Sequence, residues 1–171
     1  MIDNPCASCH GTGVTSKKEK LMVTIQPGVD NGTQLCLRGK GDAGRDGGPS
    51  GDLIINISVR PDRYFRRDGS DIYIQIPISI AQASLGATVN VPTVDGVNTP
   101  VSVNPGTQSG EMLRLRGKGV PSMRTGKRGD MYVRFIVDIP KRLSLKARSL
   151  MKDLAAELRE TDTPEPMEFR S

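Results

Sequence analysis

The sequence of 171 residues predicts a mainly β protein, two small β units in tandem closed by one C-terminal amphipathic helix. Three observations carry this. The stretch from Val23 to Gly41 recurs from Val101 to Gly119, and the offset of 78 that relates Pro27 to Pro105 also relates Gly51-Asp52 to Gly129-Asp130, so a whole unit is duplicated. Inside both copies apolar residues alternate with polar ones, as at Leu35 and Leu37 and again at Leu113 and Leu115, the period of a strand with one covered face. From Leu143 the period changes to three and four, which is helical.

Taken in order, the chain opens on Cys6 and Cys9 in a Cys-x-x-Cys turn followed by Gly11 and Gly13, which leave the backbone free to fold around two thiolates. After a polar hinge, Leu21, Val23 and Ile25 point one way and begin the first β unit. Pro27-Gly28 then turns the chain. Leu53, Ile55, Ile57 and Val59 form one face of the next strand, with Ile54 on the other; Cys36 faces away from Leu35 and Leu37. The charged segment from Arg60 to Gly69 joins the units. Ile72, Ile74, Ile76 and Ile78 then mark one long strand, and Pro77 argues that this strand lies at an edge or ends there. Residues 81–85 make a short helix stopped by Gly86. Two strands around Val89–Val91 and Val97–Val103 meet at the Asp95-Gly96 turn. The second copy of the repeat follows, with Met131, Val133, Phe135, Val137 and Ile139 on one face. Leu143, Ala147, Leu150, Met151, Leu154 and Leu158 form the stripe of the final helix, with Ser144 as its N-cap, and the stripe is expected to pack on the second unit's sheet. The tail from Thr161, with Pro164 and Pro166 among charges, reads as disordered.

Composition narrows the function. Lys and Arg exceed Asp and Glu by 24 to 19, a mild excess, so a nucleic-acid partner is not expected. No run reaches the ~18 apolar residues of a membrane span and no apolar leader opens the chain, which predicts a soluble protein. An enzyme is not expected either. His10 is the only imidazole, and Lys40 and Lys118 lack the spacing and the following Ser or Thr of a phosphate loop, so they read as turn lysines. Thiol–disulfide exchange by Cys6 and Cys9 is a weaker alternative, because no helix follows to lower a thiol pKa. What remains is binding by surface: a sheet with an open edge accepts an extended peptide as an added strand. In the second unit strands from Phe65 to Pro100 precede the repeated stretch; in the first only residues 1–22 do. The first unit therefore lacks its opening strands, and the apolar face carrying Leu21, Val23, Ile55 and Ile57 lacks cover.

The motifs in order are Asn4-Pro-Cys-x-x-Cys-His-Gly-x-Gly13, Pro27-Gly-Val-Asp-x-Gly32, Leu-Arg-Gly-Lys-Gly41, Gly51-Asp-Leu53, Phe65-x-Arg-Asp-Gly69, Asp71-Ile-Tyr73, Ala81-Gln-Ala-x-Leu-Gly86, Val91-Pro-Thr-x-Asp-Gly96 and Arg116-Gly-Lys-Gly-Val-Pro121. Together they resemble the C-terminal half of a zinc-containing, type I DnaJ-family co-chaperone. The resemblance runs from about Ile2 to Leu158. It implies a remnant of the Cys-rich zinc-finger region at 1–19, the C-terminal part of substrate-binding domain I at 20–63, substrate-binding domain II with the terminal helix at 64–160, and a tail at 161–171, the two domains being small and β-sandwich-like. It further implies binding of unfolded polypeptide clients, with Leu21 and Ile55 on the client pocket and Val23 and Ile57 beside them, in support of a DnaK-type chaperone and the stress response. The alternative is a truncated scaffold without client binding. Cys6 and Cys9 match the last of four Cys repeats and are half of a zinc site, so less than one zinc per chain is expected. No His-Pro-Asp tripeptide and no J-domain helices are present in the sequence, so stimulation of the partner's ATPase is not carried over. Homodimerisation is left open. The expected location is the cytoplasm, with a mitochondrion or plastid as the alternative.

Overall fold

The computed structural model describes residues 17–44 and 48–159. In the first unit β1 (Gln34–Leu37) and β2 (Leu53–Asn56) form a two-stranded antiparallel sheet with Leu35 opposite Ile55 and Leu37 opposite Leu53. The second unit begins with β3 (Arg66–Asp68) and β4 (Asp71–Ser79). It continues through α1 (Ile80–Leu85), the hairpin of β5 (Ala87–Pro92) and β6 (Asn98–Val103), then β7 (Met112–Leu115) and β8 (Met131–Asp138). Helix α2 (Leu145–Glu157) follows. The main sheet has the order β3-β4-β8-β7, with β4 and β8 parallel and the other pairs antiparallel.

The alternation along β4 and β8 decides the packing. Ile72, Ile74 and Ile78 of β4 and Met131, Val133 and Phe135 of β8 are buried, and the β5–β6 hairpin lays Val91, Val101 and Val103 on them, with Ala83 of α1 filling the end. Two layers thus enclose one aliphatic core, each fully buried side chain contributing ~1.5–3 kcal/mol. This is the β-sandwich-like arrangement expected. Ser79 caps α1 through a reciprocal box with Gln82, and Gly86 ends it at φ +81°. The amide of Ile72 donates to Asp130 O on the β8 side, so by alternation the main-chain groups of Tyr73, Gln75 and Pro77 face the other edge. Strand β3 reaches only as far as Tyr73. Strand β4 thus neither lies at an edge of the sheet nor ends at Pro77; the proline is accommodated because β3 leaves this stretch of its side unpaired.

The duplication is reproduced hydrogen bond for hydrogen bond. Gly32 N donates to Ile57 O at 2.9 Å as Gly110 N does to Phe135 O at 2.7 Å. Gly41 N donates to Gly51 O at 2.8 Å as Gly119 N does to Gly129 O at 2.9 Å. The Pro-Gly turns, however, are used differently. In the second copy Gly106 N and Thr107 N donate to Ala83 O of α1, and Gln108 Nε2 donates back to Gly106 O. In the first copy the carbonyls of Gly28 and Val29 accept from the Arg67 guanidinium at 2.8 and 2.7 Å, and Asp30 pairs with the same group. Gly28 also lies against the second unit: at φ +90° a Cβ there would stand 1.9 Å from Pro121 O, so only glycine fits.

Four further expectations are corrected. Residues 21–25 form no strand; no backbone hydrogen bond joins 17–26 to the other described residues, and Leu21 and Ile25 are exposed. An unpaired segment satisfies its amides with water and gains nothing from an extended ladder geometry. Val59 lies beyond β2, exposed, its N–H held by Asn31 Oδ1. Ile139 lies beyond β8 and is exposed. Helix α2 forms as expected, with Ser144 Oγ accepting from Ala147 N, yet none of its residues is buried, and Leu150, Met151, Leu154 and Leu158 are exposed. The sheet face that would have received the stripe is already covered by β5–β6. The tail from Thr161 lies outside the described residues.

Candidate functional site

The two sheets differ in how their apolar faces are covered. In the second unit the face is closed; among the described residues before Ile72 none is buried. Leu35 and Leu37 of β1 and Leu53 and Ile55 of β2 are half-buried on one face, and Ile57, held through its carbonyl by Gly32 and through its amide by Thr33 O, extends it. Ile54 faces the other way and is 59% exposed. Strand alternation thus brings Ile55 and Ile57 to a common face, as expected. Leu21 and Val23 stand on the irregular segment before the Pro-Gly turn, Leu21 exposed and Val23 half-buried, outside the sheet. Chemically this face offers aliphatic surface with no acid, base or nucleophile on it.

The repeated Arg-Gly-Lys-Gly turns are structural. Asp52 Oδ1 accepts from Gly39 N at 2.8 Å, and Asp130 Oδ1 from Gly117 N at 2.7 Å. Arg114 completes the second cradle through Asp130 Oδ2, and these donors hold the Asp130 carboxyl below the usual carboxylate range, the Gly117 amide most strongly. The first copy has Cys36 in place of Arg114. Its thiol lies 3.6 Å from Asp52 Oδ2, and desolvation followed by the Asp52 charge pushes it up, so it is protonated at neutral pH and a poor nucleophile. Lys40 sits 3.6 Å from Glu19 on the surface.

Cys6 and Cys9 lie outside the described residues. Among the described residues no group of three or more His, Cys, Asp or Glu side chains converges, and Cys36 stands on β1 committed to Asp52.

Two groupings escape a linear reading. Parallel pairing of β4 with β8 stacks Tyr73 on Tyr132, with ring centroids 5.0 Å apart, and sets Gln75 beside Arg134, residues almost sixty positions distant in the chain. The only local signal is the alternation that points Tyr73 and Gln75 opposite to the isoleucines. Arg67 is the second: nothing in the charged joint separates it from Arg66 except that it alternates inward.

This tandem of a half-covered hairpin and a closed β sandwich, tied by the repeated turn, is the architecture of a two-unit β module. The sequence profile of the DnaJ C terminal domain family matches residues 7–140, and the chain belongs to that family. It is 40% identical over 168 residues to the chaperone protein DnaJ of Allorhizobium ampelinum, covering 98% of this chain and 44% of the relative. Against the same-named proteins of Brucella anthropi and Cereibacter sphaeroides it is 42% and 43% identical over 171 residues, all of this chain and 45% of each relative. The chain thus spans less than half the length of these curated relatives.

Proposed function

We propose that this chain binds unfolded or non-native polypeptides as the client-binding part of a DnaJ-type co-chaperone, delivering them to a DnaK-type chaperone in the cytoplasm. Membership of the family supports the class. The observation that carries the reading is the half-covered apolar face of β1–β2, with Ile55 and Ile57 beside Leu35 and no buried residue beneath them. Such a face gains from covering the alternate apolar side chains of an extended chain, and it does no chemistry of its own. Leu21 and Val23, free of the sheet, lie on the segment that leads into it.

Ile55→Asp or Leu21→Asp abolishes the suppression of aggregation of a denatured client, followed by light scattering, while Ile54→Asp on the opposite face retains it. Full holding activity in both pocket variants, or equal loss in the Ile54 variant, overturns the assignment. For zinc, Cys6 and Cys9 supply two thiolates where a structural site takes four. We propose less than one zinc per isolated chain; metal analysis returning a full equivalent overturns this.

A further inference from the structure

We propose that the second unit carries a separate docking surface for an extended acidic segment of a partner polypeptide. The surface lies on the outer face of β3, β4 and β8, remote from the covered core. It is a concavity of about 560 Å³ bounded by Arg63, Tyr64, Arg66, Tyr73, Gln75 and Arg134. Register explains the gathering: Arg66 lies opposite Tyr73, Tyr73 beside Tyr132, and Gln75 beside Arg134.

Three guanidiniums gather around this one concavity. Arg67, Arg114 and Arg128 are each paired with an aspartate, to Asp30, Asp130 and Asp95. Arg63, Arg66 and Arg134 have no ion pair and no side-chain hydrogen bond among the described residues, although all three line one hollow. Asp68 is the one carboxylate in its wall. The Arg63 guanidinium lies 5.5 Å from the centre of the Tyr64 ring, within reach of cation–π attraction. Three unmatched guanidiniums around Tyr73, itself stacked on Tyr132, suit carboxylates, each able to take two parallel N–H donors.

The backbone selects a polypeptide over other polyanions. Asp62 Oδ1 accepts from Tyr64 N at 2.7 Å and Phe65 N at 3.0 Å, a local turn that bends the chain away just before β3. Pairing of β3 with β4 accordingly stops at Tyr73. Beyond it the exposed Gln75 turns its N–H and C=O to the open edge, and Pro77 adds a carbonyl. An incoming strand finds main-chain partners there and places alternate side chains over Arg63, Arg66 and Arg134. A nucleic acid cannot use that edge. The proposal is independent of the client face on the first unit.

The test is fluorescence-anisotropy titration of the full chain with a labelled decapeptide alternating Glu and Thr. The expected result is saturable binding, weakened roughly tenfold or more by Arg63→Glu, Arg66→Glu and Arg134→Glu together. It is retained by the charge-matched control Lys146→Glu, Arg148→Glu and Lys152→Glu on α2, and by Ile55→Asp. Hydrogen exchange on the unmodified protein should show the Gln75 amide protected by the peptide. Equal binding of the Gln-for-Glu peptide, equal loss in the α2 control, an unprotected Gln75 amide, or tighter binding of an oligothymidylate or of phosphatidylglycerol vesicles overturns the proposal.

Discussion

At the scale of single residues, the aspartates of the repeat show how an exposed-looking charge becomes part of the frame. Asp130 accepts from the Gly117 amide and the Arg114 side chain, while its own N–H donates to Asp71 Oδ1. The carboxyl ionises more readily folded than unfolded. Its stabilising contribution is therefore complete above the unfolded value, about 3.9, and disappears as pH falls through the lower folded value. Asp62 and Asp95 are shifted the same way, by the Tyr64 and Phe65 amides and by Arg128. The thermal midpoint should hold from pH 7 to about 5 and fall below about 4. Asp130→Asn should start lower at pH 7 and fall less on acidification; a variant whose midpoint tracks the wild type throughout would contradict the cradle. This residue-level order was legible only in part. The repeated Gly-Asp was visible as a strand start, but its acceptor role depends on the turn folding back across thirteen residues.

Among elements, strands and turns were the best-read features because each has its own local signature. The isoleucine alternation of β4, the Asp95-Gly96 turn between β5 and β6, the Gly86 stop after α1 and the Ser144 cap of α2 all stand as expected. Elements failed where their stability depends on a neighbour. Leu21, Val23 and Ile25 alternate as a strand would, yet a strand without a partner has no ladder. The apolar stripe of α2 found its expected seat taken by β5–β6. The same dependence predicts a graded stability. Sheet β1–β2 has no buried residue, whereas β4–β8 is packed on both the hairpin and α1. The amides of Leu35 and Ile55 should exchange with solvent at least tenfold faster than those of Ile74 and Val133, measured residue by residue in native conditions. Equal protection would mean that the first sheet opens only with the whole molecule.

For the whole molecule, the joint between units is the decisive place, and it was the least legible. A dense run of arginines reads as a solvated connector until the fold shows Arg67 reaching back to Gly28, Val29 and Asp30, with Pro121 closing on Gly28. Arg67→Ala should lower stability by ~1–3 kcal/mol and expose the joint to protease. Gly28→Ala should do the same by displacing Pro121. Scattering profiles should show both variants more extended than the parent, and unchanged profiles would relieve Arg67 of this duty. The proposed client face was legible sooner: alternation grouped Ile55 with Ile57, and what precedes each copy of the repeat already marked their face as uncovered, while the fold takes Leu21 and Val23 out of the sheet.

The two Pro-Gly turns carry one further consequence. Position 30 of the first copy is Asp, which shares Arg67 with the turn carbonyls; its counterpart, Gln108, folds onto the carbonyl of Gly106. One copy extends a handle to its successor and the other shuts its own. The tandem consequently has a direction: the first turn is tied through Arg67 to the unit after it, and the second is closed on itself.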